Sequence, residues 1–301
     1  MKMTFREKWL ETVERKNSVL CAGLDPSDFY IGRGDKGLPI QANKLVWSLH
    51  YLEAVAPYCA AVKPNVRFFG EELGNGILET IAQLAHELGM VMIQDSKEAD
   101  IGNTNETGFY YAGKRTADAI TFSPFAGNIE EGAKFGKKFD IGVISMCIMS
   151  NPEYAREKMK LVRLDVKPGA YTAENYNDED VIEVLQNKSF WVPQYIQLAH
   201  DAVKYGLDGL VIGAPSSKNH ITPEEISKIR QYVGDNMLVL MPGVGAQGGD
   251  AKEIFSYFSP ENVIVNLGTA MMFPNGQNST PIEQAATAKQ YMEMLNNLRG
   301  K

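Results

Sequence analysis

The sequence predicts a (β/α)8 TIM barrel built as a single domain. Three observations carry that expectation. Eight short runs of β-forming residues each give way to a stretch of helical periodicity. No linker-like shift in composition divides the 301 residues, as two doubly wound domains would require. Charged and glycine-rich motifs fall where the strand runs end rather than where they begin, which is where a barrel of this kind carries its chemistry.

Taken in order, residues 5–15 read as an opening helix, 18–24 as the first strand and 42–56 as the helix after it, with Leu45, Leu49 and Leu52 on one stripe. Strand and helix then alternate at 59–63 and 71–88, 90–94 and 107–118, 119–122 and 127–135, and 141–148 and 190–205. The last three units are 209–212 with 223–233, 238–241 with 250–258, and 262–266 with 281–298. Thr222 as cap and Pro223 at the first helical position mark one start plainly, because proline has no N–H to lose there. The irregular piece is 151–189, an insertion after strand five that reads as partly helical at 152–160. It carries Arg156, Lys158, Lys160, Arg163 and Lys167, then an acidic patch at 174–183.

Composition narrows the function. A net charge of −7 argues against nucleic acid or an anionic membrane as a general partner, so an anionic ligand would need a local positive cluster. The three cysteines, Cys21, Cys59 and Cys147, lie scattered in apolar runs without CxxC spacing, which suits a reducing, cytoplasmic setting. Residues 1–10 are too charged for a signal peptide, and no window reaches the roughly 18 apolar residues of a membrane span. Of the histidines, His50, His86 and His200 fall within helices and His220 in a loop, so no metal set is expected. Neither a GxGxxG nor a nucleophile elbow is present, and no residue reads as a cofactor anchor.

The strand ends give a short list of candidate site residues. Strand one ends at Asp25, strand two at Lys63, and strand five leads to Ser150. Strand three supplies Asp95 and Lys97, which alternation places on one face, while Asp100 lies beyond it in the following turn. Strand seven runs into Pro242-Gly243-Val244-Gly245-Ala246-Gln247-Gly248-Gly249-Asp250, and strand eight into Gly268-Thr269. Glycines in that loop let backbone N–H groups face a concavity, and loops after strands seven and eight commonly hold phosphate in this fold.

These motifs resemble the orotidine 5′-phosphate (OMP) decarboxylase family, in a long bacterial-type branch. Asp95-Ser96-Lys97-Glu98-Ala99-Asp100-Ile101-Gly102-Asn103-Thr104 resembles the family's DxKxxDIxxT signature. The glycine loop at 242–250, Gly23-Leu24-Asp25-Pro26-Ser27, Val62-Lys63-Pro64-Asn65 and Met149-Ser150-Asn151-Pro152 fit its other landmarks in order. The resemblance implies conversion of OMP to UMP and CO2 in pyrimidine biosynthesis, without cofactor or metal, by a homodimer with shared active sites. It implies that Lys97 protonates C6 as CO2 leaves, beside Asp95 and Lys63, with Asp100 reaching in from a second subunit. It further implies that Asp25 and Lys63 bind ribose, with Thr104 contributing across the interface. Ser150 would meet the pyrimidine, Gln247 would bridge base and phosphate, and Pro242, Gly248, Gly268 and Thr269 would complete the substrate site.

One position departs from the family, which carries an arginine where this chain has Thr269 after the strand-eight glycine. A bidentate guanidinium contact to phosphate is thereby lost, which leaves three outcomes: a basic side chain from elsewhere replaces it, with Arg156, Lys158 and Arg163 of the insertion as candidates, phosphate is bound more weakly, or the function has drifted. Two other readings stand beside the decarboxylase: a Mg²⁺-dependent sugar-phosphate enzyme of the same barrel superfamily, and a non-catalytic barrel that binds pyrimidine nucleotides.

Overall fold

The computed structural model describes residues 2–70, 76–164, 182–184, 189–244 and 251–301. Helix α1 (Phe5–Lys16) opens the chain under a capping box, in which Thr4 accepts from the Glu7 N–H and the Glu7 carboxylate returns to the Thr4 N–H. Strand and helix then alternate: β1 (Leu20–Leu24), α2 (Lys44–Val55), β2 (Ala61–Pro64), α3 (Ile77–Glu87), β3 (Val91–Glu98), α4 (Gly102–Lys114), β4 (Ala119–Phe122), α5 (Ile129–Phe139) and β5 (Gly142–Ile148). A short α6 (Tyr154–Glu157) leads into β6 (Leu161–Leu164), β7 (Ile182–Val184) and β8 (Ser189–Pro193). The barrel resumes through α7 (Gln194–Tyr205), β9 (Gly209–Ile212), α8 (Pro223–Val233), β10 (Leu238–Met241), α9 (Ala251–Phe255) and β11 (Val263–Leu267). The chain finishes with α10 (Thr269–Met272), β12 (Pro274–Gln277) and α11 (Pro281–Arg299).

Eight parallel strands close into a barrel in the order β1-β11-β10-β9-β5-β4-β3-β2. Most of their residues are buried, because one face fills the barrel and the other meets the helices. Closure brings β1 and β11 so near at the mouth that a Cβ on Gly23 would stand 2.8 Å from the Gly268 Cα. At the opposite end α1 is the plug. The Phe5 side chain occupies the space a Cβ on Gly142 would need, and the fully buried Trp9 donates its indole N–H to the Glu261 carbonyl at 2.7 Å.

The helix expected from residue 190 begins later. Residues 189–193 instead form β8, paired antiparallel with β6 and β7 in a separate three-stranded sheet. Phe190, Trp191 and Val192 favour a strand, and the helix starts only after Pro193. Strand three is longer than its apolar run: β3 continues through Asp95 and Lys97 to Glu98.

Candidate active site

Lys63 and Asp95, on neighbouring strands β2 and β3, form an ion pair in which each side chain is less than one-tenth exposed. The second Asp95 oxygen, Oδ1, accepts from the Lys97 ammonium at 2.5 Å, and Lys97 itself is 48% exposed. One carboxylate is thus held between two ammonium groups at the barrel mouth, and the outer ammonium faces open space. Burial alone would raise the Asp95 pKa, but Lys63 and Lys97 outweigh it and hold the carboxyl far below its ordinary range. Burial likewise works against charge on Lys63, and Asp95 with Asp25 reverses that and pushes its pKa up. Both groups therefore stay ionised at neutral pH.

Lys97 sits in the left-handed backbone region with φ 49°, a conformation that costs a non-glycine residue roughly 1–2 kcal/mol. The β3–β4 register slips at this point: Gln94 pairs with Ile120, and the next pair is Glu98 with Phe122. The expected alternation of Asp95 and Lys97 is therefore broken by a bulge, which nevertheless brings their side chains together. Thr121, absent from the sequence-based candidates, accepts from the Lys97 N–H at 3.0 Å and donates to Asp95 Oδ1 at 2.9 Å. Its only sequence signal is a hydroxyl in an otherwise apolar strand.

A cleft of about 290 Å³ is lined by Asp25, Lys63, Asp95 and Lys97 together with Pro242, Gly268 and Thr269. Asp25 is largely buried, its Oδ1 has no hydrogen-bond partner among the described residues, and burial raises its pKa against the pull of Lys63. Ser150 lies at the end of β5, against Gly213, and is not among the residues lining that cleft. Asp100 is exposed and its Oδ1 accepts from the Ile101 N–H at 2.8 Å, so within this chain it does not join the Lys63–Asp95–Lys97 array. Thr104 is exposed on the first turn of α4. Gln247 and Gly248 lie outside the described residues.

The proposed substitutes for the missing arginine divide. Lys158 is corrected: it is buried, pairs with Glu225 at 2.5 Å and donates to the His220 carbonyl at 2.7 Å, so its charge is spent anchoring α6 to α8. Arg156 is exposed on α6, and Arg163 lies on β6. Among the described residues no group of three His, Cys, Asp or Glu side chains is arranged to hold a metal ion.

A closed parallel barrel with an aspartate clamped between two lysines at its C-terminal mouth defines an enzyme of the (β/α)8 class. Within that class the chain belongs to the orotidine 5′-phosphate decarboxylase / HUMPS family, whose model matches residues 18–268. It is 28% identical to the orotidine 5′-phosphate decarboxylase of Cupriavidus metallidurans over 99% of both chains. It is 32% identical to that of Ralstonia pickettii over 83% of this chain and 81% of the relative. Among solved structures, OMP decarboxylase of Leishmania donovani matches its fold with a TM-score of 0.70 at 22% identity, over 99% of this chain and all of the other. The orotidine 5′-monophosphate decarboxylase of Methanocaldococcus jannaschii, complexed with the inhibitor BMP, matches with a TM-score of 0.61 at 27% identity, over 92% and 98%.

Proposed function

We propose that this chain decarboxylates OMP to UMP and CO2, with Lys97 delivering the proton to C6. The observation that carries the reading is the Lys63–Asp95–Lys97 array at the mouth of the barrel. As the C6–carboxylate bond breaks, its electron pair stays on C6, a carbon with no conjugated sink. A fixed ammonium beside that carbon stabilises the developing charge without reorganisation. Lys97 then gives its proton to C6, and the neutral amine recovers one from water. Asp95, kept anionic by two cations, holds that ammonium in place and faces the departing carboxylate. Asp25, with an oxygen unpartnered among the described residues, and Lys63 suit ribose hydroxyls, while Pro242, Gly268 and Thr269 of the same cleft suit the rest of the nucleotide. Ser150, Gln247 and Gly248 complete the substrate set on the resemblance alone.

The active unit in this reading is a homodimer. Asp100 and Thr104 are exposed and do not line their own cleft, which leaves them available to a second copy, and Ile101, Tyr110 and Tyr111 of the same segment are exposed apolar side chains. Three free, buried cysteines suit a cytoplasmic enzyme, and no described helix is long and apolar enough to cross a membrane.

The test is spectrophotometric OMP turnover with and without EDTA. Turnover insensitive to EDTA supports the reading; turnover of a sugar phosphate that EDTA abolishes would move the chain to the Mg²⁺-dependent branch. Tight UMP binding without CO2 release would leave a nucleotide-binding barrel. Mixing Asp100→Ala with Lys97→Ala subunits tests the shared site: hybrid dimers should regain activity, and proven hybrids that stay inactive would remove Asp100 from the partner's cleft.

A further inference from the structure

We propose that Thr121 is a positioning residue for this site, holding Lys97 in its left-handed backbone conformation and aiming its ammonium through Asp95. What the array does to substrate rests on the decarboxylase reading; how the array is held does not.

The ladder between β3 and β4 sets the problem. Gln94 faces Ile120 and Glu98 faces Phe122, so Asp95, Ser96 and Lys97 on β3 stand opposite Thr121 alone on β4. A bulge of this kind takes a backbone N–H out of the ladder, and a buried N–H needs an acceptor. Here the acceptor is a side chain: the Lys97 N–H donates to the Thr121 hydroxyl oxygen at 3.0 Å. That hydroxyl has one proton of its own, and it goes to Asp95 Oδ1 at 2.9 Å, the same oxygen that accepts from the Lys97 ammonium. The direction of the relay is fixed by chemistry, because a carboxylate only accepts and a backbone N–H only donates. Lys97 is therefore gripped at both ends of the residue, its amide by Thr121 and its ammonium by the carboxylate that Thr121 orients.

Thr121 is 1% exposed and shares its strand with Ala119, Ile120 and Phe122. A valine there would fill the same volume with no polar atom to bury. Threonine accepts the burden of a buried hydroxyl, and both of its partners belong to the catalytic array. Its position thus matches a requirement of the bulge rather than of the core.

Thr121→Val and Thr121→Ser separate hydroxyl from shape. Removing the orienting partner of an active group typically costs about 10–100-fold, so Thr121→Val should lower kcat for OMP by that factor. The KM for OMP and the Kd for UMP should stay within about threefold, because the interaction bears on proton delivery rather than on ground-state binding. Thr121→Ser, which keeps the hydroxyl and loses the methyl, should retain most of the wild-type kcat. A serine variant as slow as the valine variant would assign the effect to packing and overturn the proposal, and so would a valine variant with unchanged kcat.

Amide hydrogen exchange gives a readout independent of substrate. The Lys97 N–H should lose protection in Thr121→Val and keep it in Thr121→Ser, while the neighbouring Ile93 amide is unaffected. Should wild type fail to turn over OMP, the decarboxylase reading falls, and the exchange result alone decides the proposal: protection lost upholds it, protection kept overturns it.

Discussion

The barrel buries an acidic cluster at each end, and the two are built differently. At the base, Asp118 precedes β4 and its Oδ2 accepts from the Met92 N–H at 2.9 Å and pairs with His86 Nε2 at 2.8 Å. Its Oδ1 accepts from the Lys8 ammonium at 2.8 Å, so one carboxylate ties α1, α3, β3 and β4 together. Asp208 repeats part of the device before β9, accepting the Val143 N–H at 2.9 Å. At the mouth, Asp95 binds two ammoniums, of which Lys97 remains half-exposed, and Asp25 keeps an oxygen without a described partner. At Asp118 both carboxylate oxygens have donors. The mouth retains an accessible donor and, among the described residues, an acceptor without a partner, which is the capacity the proposed function calls on. Saturation serves stability, and incompleteness serves chemistry.

The largest expected effect breaks the mouth. Lys97→Ala should lower kcat by about 10⁴-fold, the upper range for a lost general acid, while UMP binding stays measurable by calorimetry. Turnover that survives would take Lys97 out of the chemistry and leave the two ends indistinguishable in purpose. The matching substitution at the base is Asp118→Ala. Removing one partner from a buried, fully bonded cluster costs about 3 kcal/mol, read as a lower urea midpoint, with kcat per folded molecule unchanged. A variant of normal stability and low activity would dissolve the contrast.

A smaller effect follows from proton linkage at the base. Burial would raise the Asp118 pKa, but hydrogen bonds from His86, Lys8 and the Met92 N–H lower it below the ordinary 3.8. A depressed acid stabilises the fold above its unfolded pKa, and that contribution is lost as pH falls through the folded value. The stability gap between wild type and Asp118→Asn should therefore be full near neutrality and shrink as pH drops below 3.8, measured by urea titration at each pH. A gap that widened in acid would contradict the assigned hydrogen bonds.

The barrel was legible because its strands announce themselves locally. Runs such as Leu238–Met241 and Ala119–Phe122 are short, buried and bounded by turn signals. The start of α8 was legible for the same reason: Thr222 caps it, Glu225 closes the box and Pro223 takes the first helical position. The strand β8 was not, since its pairing with Leu161–Leu164 is a contact between distant segments that a window of sequence does not contain. In the site, Asp25, Lys63, Asp95 and Lys97 could be found from strand ends and a family signature. Thr121 could not, because its role depends on a register slip between two strands. Lys158 looked like its cationic neighbours in sequence, and only the fold sets Glu225 against it.

The smallest expected effect sharpens the comparison by reversing its sign. Burial raises the Asp25 pKa above 3.8, and the nearby Lys63 only partly offsets that. A raised acid binds its proton more tightly folded than unfolded, so ionising it opposes folding. That penalty is absent below 3.8, appears as pH climbs through the interval to the folded pKa, and is complete above it. Asp25→Asn removes the buried charge and should stabilise the protein near neutrality by about 1 kcal/mol, the scale of one unmet buried polar group. The same change should raise the KM for OMP, since in the proposed function a ribose hydroxyl donates to this carboxylate. Thermal melts and OMP kinetics on one preparation test both halves. A gain in stability with a loss of binding is the signature of a group kept unsatisfied for substrate, and Asp118→Asn at the base should give neither. If Asp25→Asn destabilised the fold as Asp118→Asn does, Asp25 would belong with the structural aspartates of the base.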